Sequence, residues 1–199
     1  MNISFNIFTS HYAAAGFIIT LVAFFVAEQI GGVIVPGIKR GGARVQRKSF
    51  GSGGLVILCW VAVLAATVIT AKLGNGLLSD WVYFAGIAVM VGGIFLRQWS
   101  IAVLGRYFSG TLGVQSGQKV VDRGPYHYIR HPSYTGVLVF FVGMGLAVQS
   151  WVAALLGAAF FAIGYGYRIH VEEKVLISEL GESYTDYMKR TKRVIPKIV

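Results

Sequence analysis

"HPSYTGVLVFFVGMGLAVQSWVAALLGAAFFAIGYGY" runs from His131 to Tyr167, 37 residues without Asp, Glu, Lys or Arg. As one helix it would reach about 55 Å at 1.5 Å per residue, against a hydrocarbon core about 30 Å thick. Away from its ends, the polar interruption is Gln149-Ser150. The tract is therefore expected to fold back there as a helical hairpin. Its first crossing is placed at 132–148 and its second at 151–170, with the second emerging past Arg168 as a polar helix.

Working outward, three more apolar stretches are long enough to cross a bilayer, at 12–35, 53–71 and 81–104. The last reaches Leu104 if Arg97 snorkels to the headgroups. The whole chain of 199 residues is 55% hydrophobic and 13% charged, with a mean hydropathy of +0.66. A soluble domain carries about 25% charged residues. Residues 1–199 thus read as a single all-α membrane domain with five transmembrane helices. The uncharged start "MNISFNIFTSHY" lacks the basic region of a secretory signal and reads as the approach to the first helix.

The basic residues set the orientation. Five lie between Pro36 and Phe50, five between Arg97 and Arg130, and seven from Arg168 onward; only Lys72 falls elsewhere. With five crossings and the N-terminus outside, 17 of the 18 share the cytoplasmic side, the positive-inside pattern. Charge in blocks between apolar runs, rather than in one stripe on a soluble fold, argues against a nucleic-acid partner. The single cysteine, Cys59, lies in an apolar run and excludes an intramolecular disulfide.

Polar chemistry concentrates at the cytoplasmic mouth of the hairpin. "RGPYHYIRHPSYTG", Arg123 to Gly136, holds three Tyr, two His and two Arg. His127 and His131 are four apart, a helical metal-pair spacing, but Pro132 biases His131 away from helix and no Cys or acid lies within the motif. No metal site is assigned. Pro132 suits the first turn of the fourth helix. Ahead of it, "QKVVDRG" reads as an extended piece ending in a turn at Gly124-Pro125, within a glycine-rich loop that lacks the GxGxxG of a Rossmann turn. Further on, Arg168 and Glu172 are spaced i,i+4. They read either as a helix-surface ion pair or, since ionisable groups at a membrane boundary usually face a cavity or a partner, as part of a site. Leu176, Leu180, Tyr184 and Tyr187 read as a packing face broken at Gly181, and "KRTKRVIPK" as a solvated basic tail.

Taken together, Arg130-His131-Pro132-Ser133-Tyr134-Thr135-Gly136, a hairpin, and then Glu172-Glu173, Leu176, Gly181, Tyr184, Tyr187, Arg193, Ile195 and Pro196 resemble the isoprenylcysteine carboxyl methyltransferase family. The likeness is to its short prokaryotic integral-membrane members. Leu180 stands where the family more often has Phe. The resemblance implies S-adenosylmethionine as methyl donor, held in a cytosolic pocket built from 105–131 and 171–199. It implies cofactor contacts at Lys119, Val120, Val121, Tyr126, His127, Arg130, His131, Tyr134 and Glu173, and a catalytic role for Arg168 and Glu172. The implied partner is a prenylated cysteine carboxylate delivered by the membrane lipid phase, with the active site facing the cytoplasm.

The residue types suit that chemistry. A cofactor carboxylate wants Arg, His and Tyr donors, its ammonium wants an acid, and its sulfonium tolerates aromatic faces. An α-carboxyl acceptor is already anionic at neutral pH and needs alignment rather than a base. Arg168 suits it as a planar fork. An amine acceptor, as in the related phospholipid N-methyltransferases, would need a base. The more distant NADPH-dependent sterol reductases are a third reading, and a non-enzymatic membrane sensor or scaffold a fourth. Small residues such as Gly157, Ala158 and Gly164 serve either tight helix packing or a lateral opening for lipid.

Overall fold

A computed structural model describes residues 10–40, 52–74, 78–109, 113–115 and 117–196. Every regular element among them is helical: α1 His11–Ala27, continued through a π-helical stretch Glu28–Ile34 into α2 Val35–Arg40, then α3 Ser52–Leu73, α4 Trp81–Leu104, α5 Pro132–Ala147, α6 Trp151–Leu180 and α7 Glu182–Arg190. Short 3₁₀ turns occupy Gly105–Tyr107 and Gly124–His127. Four helices are long and apolar enough to cross a membrane: His11–Ile38, Ser52–Leu73, Trp81–Tyr107 and Trp151–Leu180. The fifth, α5, has 16 residues and spans about 24 Å.

The hairpin forms where the sequence breaks. Gln149 takes a left-handed φ of 58°, and the Ser150 hydroxyl caps α6 by accepting from Ala153 N at 3.2 Å. Gln149 also donates to Asp80 Oδ1 at 2.8 Å, and its carbonyl accepts from Leu78 N. That ties the turn to the start of α4.

The centre of the bundle is a seam between α4 and α5. Gly86 and Gly93 on α4 face Gly136 and Gly143 on α5, each pair seven residues apart. A Cβ on Gly93 would stand 2.7 Å from Gly136 O, and one on Gly143 2.7 Å from Met90 N. Glycine lets the backbones touch, the close approach membrane helices use in place of a hydrophobic drive. Around the seam, Phe140, Phe141, Met90 and Met144 are fully buried. The Phe24 ring lies 4.3 Å from that of Phe140, and Trp60 Nε1 donates to the Tyr165 hydroxyl at 3.0 Å, joining α3 to α6.

One sequence expectation changes, and one pair of alternatives resolves to packing. Arg97 does not snorkel: it is 9% exposed and its guanidinium forks onto Glu28, with Nη2 2.6 Å from Oε2 and Nε on Oε1. An inward carboxylate one helix away satisfies the charge where it stands. Gly157 and Gly164 serve packing, since a Cβ would stand 3.0 Å from Phe141 O at the first and run into Cys59 at the second.

Candidate active site

Where α5 begins and α6 passes it, the chain gathers its polar residues. Arg123 is extended, Gly124 takes φ 58°, and Gly124–His127 make one 3₁₀ turn before Pro132 starts α5 at its first position. The C-terminal segment docks beside this turn. Ile129 bridges Lys192 in parallel register, Arg130 N donates to Lys192 O at 2.7 Å, and His131 N to Arg193 O at 2.9 Å. Thr135 Oγ1 donates to Val194 O at 2.8 Å.

Glu173 locks that junction. It is 3% exposed and accepts from Arg130 Nε at 2.8 Å through Oε1 and from Arg193 Nε at 2.9 Å through Oε2. Arg130 also donates through Nη1 to the carbonyls of Met188 and Thr191. One buried carboxylate thus joins the turn before α5, helix α6 and the chain end. Opposite charges that satisfy each other's hydrogen bonds make burial tolerable.

A cleft lies against this junction, with about 890 Å³ of space that includes its solvent-open part. The 3₁₀ turn and the start of α5 supply Tyr126, Arg130, His131 and Tyr134; helix α6 supplies Arg168 and Glu172; a strap of chain through Lys119, Val120 and Val121 lines it as well. At its base, Arg168 Nε donates to the Tyr134 hydroxyl at 2.8 Å, and that hydroxyl donates to Glu172 Oε2 at 2.7 Å. Tyr134 is the hub through which the two α6 residues meet. Arg168 is 8% exposed, so its plane is set by contacts rather than by solvent.

Two residues that line the cleft carry a buried polar atom that makes no hydrogen bond to any described residue: His131 at Nε2 and Tyr184 at its hydroxyl. His131 Nε2 stands 3.5 Å from Glu173 Oε1 without hydrogen-bond geometry. Burial, followed by the Glu172 charge, pushes the Tyr126 phenol above the usual tyrosine range. Burial and then the Glu173 charge do the same for Tyr184. Both are neutral donors at any physiological pH.

Nine of the eleven residues singled out from sequence line the cleft: Lys119, Val120, Val121, Tyr126, Arg130, His131, Tyr134, Arg168 and Glu172. Glu173 and His127 do not. Glu173 turns to the two arginines. His127 points outward, its ring 62% exposed, with Nδ1 3.1 Å from Asp122 Oδ1; the 3₁₀ turn ends at His127, so it does not share a helix face with His131. Leu176, Leu180, Tyr184 and Tyr187, read as a packing face, also line the cleft; Tyr184 and Tyr187 are buried against each other as that reading expects. Phe108 and Val114 were missed; they come from a loop whose apolar residues have no period to betray them. Among the described residues no group of three His, Cys, Asp or Glu converges as a metal site.

This arrangement has relatives. The profile of the isoprenylcysteine carboxyl methyltransferase (ICMT) family matches residues 86–178. The chain is 29% identical over 118 residues to protein-S-isoprenylcysteine O-methyltransferase B of Arabidopsis thaliana, covering 58% of this chain and 60% of that protein. It is 32% identical over 109 residues to protein-S-isoprenylcysteine O-methyltransferase of Schizosaccharomyces pombe, covering 48% of this chain and 46% of that protein. The chain therefore spans about half the length of these curated relatives. In fold it superposes on the eukaryotic intramembrane Ras methyltransferase ICMT with a TM-score of 0.68 at 22% identity, over 94% of this chain and 67% of that one. With its apolar helices it is a multi-pass integral membrane protein, and its residues 86–178 carry a likeness to the isoprenylcysteine carboxyl methyltransferase family.

Proposed function

We propose that the protein transfers a methyl group from S-adenosylmethionine to the C-terminal carboxylate of a prenylated cysteine, or a similar lipid-linked acid, at the cytoplasmic membrane surface. The observation that carries this is the pair of unpartnered polar atoms on residues that line the cleft, His131 Nε2 and Tyr184 Oη, beside an arginine fixed by Tyr134. Buried polar atoms without partners are costly, and a zwitterionic ligand would satisfy both. The strap backbone at Lys119–Val121 and the Tyr126 phenol would complete its hold, and Glu172, not Glu173, is the acid within reach of its ammonium. When bound, S-adenosylmethionine supplies an electrophilic methyl whose bond electrons return to sulfur as the acceptor oxygen takes the carbon.

The acceptor carboxylate is anionic at neutral pH, so no residue has to remove a proton. Arg168 would fix its oxygens, and alignment would supply most of the rate. Glu172 would repel a nearby carboxylate were it bare; the Tyr134 hydroxyl on Oε2 tempers that charge. The lipid tail would occupy an apolar recess lined by Phe24, Phe25, Trp60, Leu64, Val137 and Tyr165. Tyr165 lies one turn before Arg168 on α6.

The five-crossing, N-out topology is part of the proposal, with α5 as a short crossing shielded by its neighbours. Tyr12, Trp81 and Trp151 are exposed and open α1, α4 and α6. Those starts lie together, since Tyr83 Oη donates to Ala13 O and Gln149 to Asp80. Such an aromatic belt suits one interface, and the cleft with its basic residues lies at the other end of these helices.

The test is transfer of labelled methyl by the purified protein to prenylcysteine analogues and, in parallel, to phosphatidylethanolamine. Base-labile label on the prenylated acid is expected. Label on the amine alone would replace the acceptor, and thermal stabilisation by NADPH rather than S-adenosylmethionine would replace the reaction.

A further inference from the structure

Glu28 lies outside the segment that carries the family likeness, 69 residues from Arg97, yet the two form a closely knit polar contact inside the bundle. Arg97 uses every guanidinium nitrogen. Nε and Nη2 go to the two Glu28 oxygens, and Nη1 donates to the Ser133 carbonyl at 3.2 Å. Gln98 Nε2 adds a contact to Glu28 Oε1 at 3.3 Å. Glu28 begins the π-helical stretch of the first helix, the kind of irregularity that turns up inside helices at functional sites. The pair also lines the apolar recess, which Tyr165 borders as well.

Ser133 is what gives this contact its reach. The carbonyl held by Arg97 belongs to the residue immediately before Tyr134, and Tyr134 is the hub between Arg168 and Glu172. The polar chain thus runs from Glu28 through Arg97 and one peptide unit to the base of the cleft. A charged pair inside a membrane bundle is expensive and usually marks function. Three of the five Arg97 N–H groups and both Glu28 oxygens are spent on partners within the protein; what the pair fixes is the place of Tyr134.

We propose that Arg97 and Glu28 are positioning residues for methyl transfer, clamping the first turn of α5 so that Tyr134 presents Arg168 to the acceptor; this rests on the activity proposed above. The first helix then has a role in the chemistry that the family segment alone does not contain. Positioning should act on turnover, because misplacement by about 1 Å can cost about a hundredfold in rate. It should leave the cofactor side of the cleft, around His131 and Tyr184, largely as it was.

The test uses the full chain in detergent, with three variants. Glu28→Gln keeps the shape and weakens the fork, Glu28→Gln with Arg97→Gln removes both charges, and Tyr83→Phe removes the α1–α4 contact at the far end of the helices. For both Glu28 variants kcat should fall about tenfold or more, with S-adenosylmethionine affinity by calorimetry within about threefold of the parent and KM for the lipid acid little changed. Tyr83→Phe should stay within about twofold in kcat. Turnover retained in either Glu28 variant overturns the proposal. So does an equal loss in Tyr83→Phe, which would make helix docking in general the cause, and so does failure of both Glu28 variants to accumulate as folded protein, which would make the pair a folding determinant. A parent protein that methylates no acceptor refutes the reaction rather than the clamp.

Discussion

Glu172 and Glu173 are adjacent on α6, about 100° apart around the helix, and that rotation gives them different work. Glu173 is 3% exposed and held by Arg130 and Arg193. Glu172 lines the cleft and accepts from Tyr134. One acid joins three segments of chain; the other stands where a ligand would. The same division runs through the arginines. Arg130 spends its donors on Glu173 and on the carbonyls of Met188 and Thr191, whereas Arg168 is set by Tyr134 at the cleft base. A dense motif can therefore be half scaffold and half site, and burial with partner identity separates the halves where residue type does not.

The sharpest way to break this comparison is to remove each acid. Glu173→Ala should strand Arg130 in the interior and destabilise the protein by about 3–5 kcal/mol, the cost of breaking a buried pair from one side. Glu172→Gln should leave the thermal midpoint nearly unchanged, because its amide still accepts from Tyr134. Thermal unfolding in one detergent compares them directly, and equal losses of stability would erase the distinction. Next in size is Arg168→Ala. Turnover should fall about 10²–10³-fold, the range for removing one preorganised donor, while calorimetric affinity for S-adenosylmethionine stays within about threefold. A parallel loss of affinity would move Arg168 to the cofactor side.

Much of this was legible in the sequence, for physical reasons. The hairpin was readable because Gln149-Ser150 interrupts a tract too long for one crossing, and the turn falls there. The cleft was readable because polar and aromatic residues at the end of an apolar helix need a purpose. What stayed hidden were facts of rotation and distance. Helical spacing cannot say which of two consecutive glutamates meets the chain end, since that depends on Lys192–Val194 docking beside Ile129–His131. Nor can it say that Leu176, Leu180, Tyr184 and Tyr187 border open space, because a periodic stripe looks alike against a neighbour or a void. The Arg97–Glu28 fork joins residues with no local relation, so the isolated arginine read as one that reaches for the headgroups.

A smaller effect tests the cofactor wall. His131 Nε2 is buried without a hydrogen-bond partner among the described residues, while its backbone N–H is already spent on Arg193 O. The side chain can therefore be changed without undoing the docked chain end. His131→Ala should weaken S-adenosylmethionine binding about tenfold, near 1.4 kcal/mol for one good hydrogen bond to a charged group, with the lipid-acid KM little altered. Unchanged affinity would leave the orphaned nitrogen without a role in holding the cofactor.

The smallest expected effect concerns the strap. Asp122 follows Val121 directly and meets two exposed partners: His127 Nδ1 at 3.1 Å and Arg190 at 2.7 Å, with side chains 62% and 60% exposed. Such surface contacts contribute about 0–1 kcal/mol and are screened by salt. Yet these two fasten the end of the Lys119–Val121 segment to α7 and to the turn before α5. Asp122→Asn should leave the thermal midpoint almost where it was and weaken cofactor affinity by no more than about threefold, at low salt only. If affinity instead collapses at every salt concentration, the fastening is as much a part of the site as Arg168, and the line between scaffold and site drawn on burial has to be redrawn to include an exposed carboxylate.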